Sequence, residues 1–324
     1  MLSDRFGRTI DYLRVSVTDR CDLRCSYCIP KGFKDFETPA HWLSFAEIER
    51  VVAAFVRLGT RHVRLTGGEP LLRHQLPQLA QRLARLTGLV DLSLSSNGTQ
   101  LAAQALALRA AGVTRLNISL DSLRRDCMAT LTGRDCLPTV LDGLMAAKDA
   151  GFSQIKLNMV PVLGVNDGDI DAMISFAMAH GFILRLIEAM PLGLTGQSTP
   201  GLNLTQTLNT LQQRFNLAPL EHPLGGGPAR YWSSVDGRLI LGLITPLSQH
   251  FCARCNRVRL SVDGTLYLCL GQTQHMELRP LLRAGCSDAE LENAIRVAIE
   301  LKPEQHDFVS APSKIMRIMA KTGG

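Results

Sequence analysis

Two apolar patterns alternate along the first 190 residues. Short runs rich in β-branched residues or leucine, at 13–17, 62–66, 89–94, 115–120, 154–160 and 183–187, have the length and composition of strands. Longer segments between them carry apolar residues at helical spacing, at 44–58, 76–86, 101–110, 138–150 and 169–180. Ser44 followed by Glu47 is a capping-box signature for the first of these helices. Gly59, Gly151 and Gly181 follow the ends of three of them, where a left-handed closing turn favours glycine. This alternation predicts an α/β fold with a parallel sheet and right-handed crossovers. Six strand–helix units fall short of the eight that close a barrel, so residues 1–190 read as a partial (β/α)6 TIM-like barrel. An open doubly wound sheet is the competing arrangement. Either one gathers ligands at the C-terminal ends of the strands.

After Met190 the pattern changes. Residues 191–201 are rich in Gly, Pro, Ser and Thr, and three consecutive glycines fall within 222–228. A short helix at 205–215 and strands near 238–244, 257–262 and 265–270 follow, with Asp263-Gly264 as a hairpin signal between the last two. A final helix at 288–301 leads to a tail ending in Thr322-Gly323-Gly324. Residues 191–324 thus form a C-terminal α+β extension. No internal repeat is visible beyond the strand–helix alternation.

Composition adds bounds. A hydrophobic fraction of 46% and a charged fraction of 20% supply a large core and oppose disorder. The net charge of +6 suits an anionic small molecule as well as nucleic acid, but no basic patch is interleaved with aromatics, so nucleic acid is not an expected partner. No run approaches the roughly 20 apolar residues of a membrane span. The first residues lack the apolar core of a secretion signal. A cytoplasmic protein with no membrane partner is expected. Nine cysteines change the picture more: three lie in 21–28, three in 252–269, and Cys127, Cys136 and Cys286 stand apart as expected structural thiols. In a reducing compartment, clustered cysteines point to metal or redox chemistry rather than to disulfides.

Cys21, Cys25 and Cys28 follow directly on the first strand. Three thiolates in one short loop can hold three corners of a [4Fe–4S] cubane and leave the fourth iron open. A structural zinc with a distant fourth ligand is the alternative. Thr66-Gly67-Gly68-Glu69-Pro70 closes the second strand, either as a tight turn or as a place where backbone nears a ligand. Cys252, Cys255 and Cys269 form a second trio, which the hairpin return can bring together. Zinc is a stronger rival there, with His250 or His275 as a fourth ligand. Arg257 and Arg259 share one strand face beside that trio and suit phosphate oxygens.

The Cys21–Cys28 loop with the Gly67–Pro70 element resembles the signature of the radical S-adenosylmethionine superfamily. Over nearly the whole chain the sequence resembles the GTP 3′,8-cyclase family, which opens molybdenum-cofactor biosynthesis. The likeness runs through Phe6-Gly7-Arg8, Leu13–Cys21, Ser96-Asn97-Gly98, Asn117–Ser122, Cys252–Arg259 and the terminal Gly323-Gly324. The resemblance implies a lyase that uses S-adenosylmethionine and two [4Fe–4S] clusters, held by Cys21, Cys25 and Cys28 and by Cys252, Cys255 and Cys269. It implies that an adenosyl radical takes the C3′ hydrogen of GTP and that C3′ then joins C8, giving 3′,8-cyclo-7,8-dihydroguanosine 5′-triphosphate. Tyr27, Gly68, Ser119 and Met190 match S-adenosylmethionine contacts. Arg14, Arg64, Ser95, Lys156, Arg257, Val258 and Arg259 match GTP contacts. Gly323, Gly324 and Arg14 are implied in catalysis, the glycines as a thin tail that enters the active site. A homodimer, an unidentified electron donor and hand-over of product to cyclic pyranopterin monophosphate synthase are also implied. Three departures stand out: Ser95-Ser96 where a Thr pair is common, Asp22 where Asn is common, and Thr322 where an apolar residue is usual. The rivals are a peptide-modifying radical enzyme and a non-catalytic zinc-binding interaction module.

Overall fold

The computed structural model describes residues 1–30, 32–222, 224–310 and 317–323. Six strands appear where the apolar runs predict them: β1 (Tyr12–Ser16), β2 (His62–Thr66), β3 (Asp91–Ser96), β4 (Arg115–Ser119), β5 (Ile155–Met159) and β6 (Ile183–Ile187). They pair parallel in sequence order. That order contains no reversal, which removes the doubly wound alternative. Helices α1 (Phe45–Arg57), α2 (Leu76–Ala84), α3 (Leu101–Ala110), α4 (Arg125–Thr132), α5 (Leu137–Asp149) and α6 (Ile170–His180) lie between the strands. Successive helices touch, α1 on α2, α2 on α3 and α3 on α5, as a curved outer layer does. The helix starts are those the sequence signals: Glu47 N donates to Ser44 Oγ (3.2 Å) while Ser44 N donates to Glu47 Oε2 (2.7 Å). Such a cap stabilises a helix by about 1 kcal/mol. Helix α4 has no sequence-level counterpart; its N-cap is Arg124, which makes no side-chain capping bond, and Gly133 closes it at φ +73°.

The C-terminal region does not build a sheet of its own. Its strands β7 (Leu217–Pro219), β8 (Arg230–Ser234), β9 (Ile240–Ile244), β10 (Arg257–Leu260), β11 (Thr265–Tyr267) and β12 (His275–Glu277) extend the same sheet at both edges. β9 joins β6 and β10 joins β1, both parallel, and antiparallel pairs finish each side. Asp263-Gly264 forms the expected hairpin between β10 and β11, with Gly264 at φ +85°. Among the described residues no helix is long and apolar enough to cross a membrane.

Strand alternation divides the sheet into two unlike faces. Leu13, Val15, Val63, Leu65, Leu92, Leu94, Leu116, Ile118, Leu157 and Leu184 are fully or almost fully buried in one core with the helices. Each such burial contributes roughly 1.5–3 kcal/mol. The opposite positions are polar and mutually adjacent: Arg14 pairs with Arg64 and Arg259, Ser95 with Asn117, Asn117 with Lys156, and Asn158 with Ser119 and Arg185. A parallel sheet covered on both faces by apolar layers has no reason for such a row; a barrel with a polar lumen does. The glycine-rich segment crosses the N-terminal end of that lumen. Leu224 O accepts from Arg115 Nη1 (3.0 Å) and from Lys156 Nζ, and Gly226 O accepts from Asn256 Nδ2 (3.1 Å). A Cβ at Gly226 would stand 3.0–3.1 Å from the His62 and Tyr12 rings, so those rings would have to give way to it.

Candidate active site

The cysteine loop is built first by its neighbours. Arg24 N donates to Thr132 O and Ser26 N to Leu131 O, both at 2.8 Å, which ties the loop to the end of α4. Gly68 N donates to Thr18 O (2.8 Å) and Glu69 N to Arg20 O (2.7 Å). A Cβ at Gly67 or Gly68 would collide with Thr18 O or Arg20 O. The two glycines therefore let the end of β2 lie against the cysteine loop itself. Glu69 is wholly buried and accepts from Asn97 N (2.6 Å), Leu71 N (2.9 Å) and Ser96 Oγ (2.8 Å). Burial pushes its carboxyl up to about 7 despite those donors. Asn97 Nδ2 in turn donates to Asp22 Oδ1 (2.8 Å), and Thr99 Oγ1 to Asp22 Oδ2 (2.7 Å). The aspartate that departs from the family pattern thus has its own donors.

All six clustered cysteines line one cavity of about 280 Å³ at the C-terminal ends of the strands, and all nine cysteines are free thiols. Cys127, Cys136 and Cys286 are absent from that lining. Burial, then repulsion from neighbouring groups, raises the first trio: Cys21 to about 11, Cys28 to about 12 and Cys25 well above its ordinary value. Three such thiols cannot ionise together without a cation among them, which is what an iron–sulfur core supplies. A single zinc needs its donors about 2.0–2.3 Å from one point. Among the described residues no three His, Cys, Asp or Glu side chains are already gathered about one point for a metal ion. A [4Fe–4S] cubane would take the three thiolates of a trio on three of its four irons.

Cys252 and Cys255 sit in one tight turn, Cys255 N donating to Cys252 O at 3.0 Å, and Cys269 returns two residues after β11. His250 and His275 do not line the cavity; His250 stacks edge-on to His306, and His275 Nδ1 meets Thr273 O at 2.7 Å. His306 does line it, with Nε2 2.8 Å from Pro246 O.

Between the trios the wall is cationic. Arg14, Arg64, Arg185, Arg257 and Arg259 all line it. Burial and the neighbouring guanidiniums hold Arg14 well below the usual arginine range and bring Arg259 to about 10. Arg14 Nε and Arg257 Nε are buried without a hydrogen-bond partner among the described residues. Polyanion oxygens would satisfy both the charge and the donors. Tyr27, Gly68, Ser95, Ser119 and Met190 line the cavity as well, Tyr27 donating to Asp121 Oδ2 at 2.6 Å. Val258 borders the cavity, but its side chain is in the outer core, so only its main chain can meet a ligand. Lys156 faces the lumen yet is not part of the lining: it lies at the floor, against Leu224 O and Tyr231 Oη (3.2 Å). Arg259 Nη1 donates to Gly323 O, and Gly323, at φ +74°, has no room for a side chain beside Thr66. Gly324 lies outside the described residues.

Arg185, Asp121 and His306 were not singled out by the sequence. Arg185 stood as one arginine inside the apolar run Ile183–Ile187, and its alternation with Leu184 and Leu186 was the available signal. Asn158 Oδ1 accepts from its Nε (2.8 Å) and Asn117 Oδ1 from its Nη2 (2.7 Å), which hold it aimed along the wall.

Comparison with known proteins agrees with this geometry. A family model described as the Radical SAM superfamily matches residues 15–177, and one described as Molybdenum Cofactor Synthesis C matches 182–308. Proteins named GTP 3′,8-cyclase from Ectopseudomonas mendocina and Marinobacter nauticus are each 44% identical over 328 residues, covering 100% of this chain and 98% of theirs. One named GTP 3′,8-cyclase 2 from Pseudomonas aeruginosa is 43% identical with the same coverage. Among solved structures, Streptococcus suis SuiB bound to S-adenosylmethionine superposes with a TM-score of 0.62 at 14% identity, over 89% of this chain and 68% of that one; this likeness is one of fold. By its full-length relatives and by the two matched regions, this chain belongs to the GTP 3′,8-cyclase family of the radical S-adenosylmethionine superfamily.

Proposed function

We propose that this chain is a GTP 3′,8-cyclase, a radical lyase at the first step of molybdenum-cofactor biosynthesis. One observation carries the reading: two separate thiol trios open onto one cavity whose shared wall is arginine. When bound, a [4Fe–4S] cluster with S-adenosylmethionine supplies a hydrogen-abstracting radical. Cys21, Cys25 and Cys28 hold that cluster, and Tyr27, Gly68, Ser119 and Met190 surround the S-adenosylmethionine. Cys252, Cys255 and Cys269 hold a second [4Fe–4S] cluster on the guanine side. Arg14, Arg64, Arg257, Arg259, Ser95 and the main chain at Val258 bind the nucleotide. Holding both ends of GTP restricts it to poses in which C3′ and C8 are near each other, an advantage of positioning. The C-terminal glycine pair assists radical initiation or control in the active site, a reading supported by the bond from Arg259 Nη1 to Gly323 O. The division between 1–190 and 191–324 is one of task, since the sheet is continuous. Free clustered thiols suit the reducing cytoplasm. A homodimer, an external electron donor and hand-over to cyclic pyranopterin monophosphate synthase complete the proposal.

The test is anaerobic reconstitution with iron and sulfide, then incubation with reductant, S-adenosylmethionine and GTP. Formation of 5′-deoxyadenosine together with a cyclised guanine nucleotide supports the reading. Release of 5′-deoxyadenosine only with a peptide, or not at all, overturns it.

Lys156 adds a pH dependence. Burial, with Arg185, Arg115 and Arg64 near by, brings its ammonium down to about 6. It is therefore mostly neutral above that value. A triphosphate placed above it favours the charged form and raises the value, so binding takes up a proton. GTP affinity then rises as pH falls from about 8 and levels off below about 6. Calorimetry in buffers of different ionisation enthalpy measures the uptake. Lys156→Met flattens the profile; an unchanged profile in that variant removes Lys156 from nucleotide binding.

A further inference from the structure

A buried ammonium stands behind the second cysteine trio, and among the described residues no carboxylate pairs with it. Lys302 follows the helix Asp288–Glu300 and is 1% exposed. Its Nζ donates to Leu268 O (2.5 Å) and to Arg257 O (3.0 Å). Leu268 immediately precedes Cys269, and Arg257 follows Cys255 by two residues. The adjoining turn is clamped from the other end of the chain. Arg8 donates to Pro303 O (2.7 Å) and Glu304 O (2.6 Å), and from Nη1 to Cys252 O (3.0 Å). One lysine and one arginine thereby hold this turn against the backbone of all three cysteine segments.

Burying an ammonium with only two carbonyls is costly, and an apolar residue would fill the space at less cost. The charge needs a counterpart, and its two carbonyl partners lie one residue from Cys269 and two from Cys255 in the chain. The first trio has a contrasting surround: Asp121 lines the cavity beside it, and Asp22 and Glu69 both accept from Asn97, whose Nδ2 meets Cys21 Sγ at 3.8 Å.

We propose that Lys302 is a positioning and charge-compensating residue for the cluster at Cys252, Cys255 and Cys269, whose fixed positive charge favours cluster retention and raises the cluster's reduction potential. This rests on the second-cluster reading given above. Three thiolates give the bound cluster a net negative charge, and one-electron reduction adds another. A nearby cation stabilises the reduced form more than the oxidised one, and net charge is among the main determinants of cluster potential.

The test uses the full chain with Cys21→Ala, Cys25→Ala and Cys28→Ala, so that only the second trio can take iron. Iron and sulfide content and the midpoint potential, from a reductive titration followed by electron paramagnetic resonance, are compared for Lys302, Lys302→Gln and Lys302→Arg. Glutamine keeps a donor without the charge; arginine keeps both. The expected result is a full cluster with Lys302 and with arginine. With glutamine, either the cluster is lost, or its reduction equilibrium is at least tenfold less favourable, about 59 mV for one electron. Equal iron and equal potential in all three, or equal loss in both variants, overturns the role of the charge. Failure of the Lys302 parent itself to take up iron overturns the second-cluster reading instead.

Discussion

Replacing Cys25 by alanine is expected to abolish S-adenosylmethionine cleavage, whereas replacing Cys255 by alanine is expected to leave cleavage measurable and to lower cyclisation at least about 100-fold. The difference follows from what surrounds each thiol. Cys25 lies in the loop that Thr132, Leu131 and the Gly67–Gly68 turn hold in place, among Tyr27 and the other residues assigned to S-adenosylmethionine. Two thiols cannot hold three corners of a cubane, so the loss is complete rather than graded. Cys255 lies beside Arg257 and Lys302, in the half of the cavity assigned to the nucleotide. Its removal loosens the substrate without touching the first loop. A radical can still form, but the geometry that brings C3′ to C8 is lost, and such misplacement costs at least about 100-fold. The measurement is 5′-deoxyadenosine and cyclised nucleotide from the same incubation. If both variants lose both products equally while each keeps the other cluster's iron, the division of labour between the trios is wrong.

Much of this architecture is readable without coordinates, for physical reasons that differ by element. Helix α1 announces itself because Ser44 and Glu47 satisfy each other's backbone donors, a purely local interaction. The two trios are legible because loop spacing restricts what thiols can share. Arg64 and Arg185 carry a weaker local signal, the alternation of one charged residue with leucines in HVRLT and ILRLI. Helix α4 is missed because eight residues with no capping bond carry little local preference. The C-terminal region reads as an extension of its own, yet its strands complete the first sheet, since edge pairing is decided by distant partners. Lys302 and His306 lie beyond any local reading. A lysine after a helix resembles the common cation at a helix C-terminus. Only tertiary packing turns it inward, against carbonyls 34 and 45 residues away in the chain.

Removing a charge from the arginine wall is expected to stabilise the empty protein while weakening nucleotide binding. Arg14 is the centre of that wall, in register with Arg64 on one side and Arg259 on the other. Burial and those neighbours both act against its charge, and no hydrogen bond among the described residues repays it. Arg14→Met relieves the repulsion and leaves a flexible apolar chain of similar reach. The melting temperature of the ligand-free protein rises. GTP affinity falls, since one charge-assisted contact contributes about 1.5–3 kcal/mol, or roughly 10- to 150-fold. Arg259→Met behaves alike in binding but gains less stability, because it also gives up the bond from Nη1 to Gly323 O. The double variant gains less than the sum of the two, because each single change already removes the shared Arg14–Arg259 repulsion. Thermal unfolding with and without GTP reads both quantities on one sample. A lower melting temperature for Arg14→Met with undiminished GTP binding would mean that this arginine supports the fold, and that the wall's repulsion is balanced by something other than the substrate's phosphates.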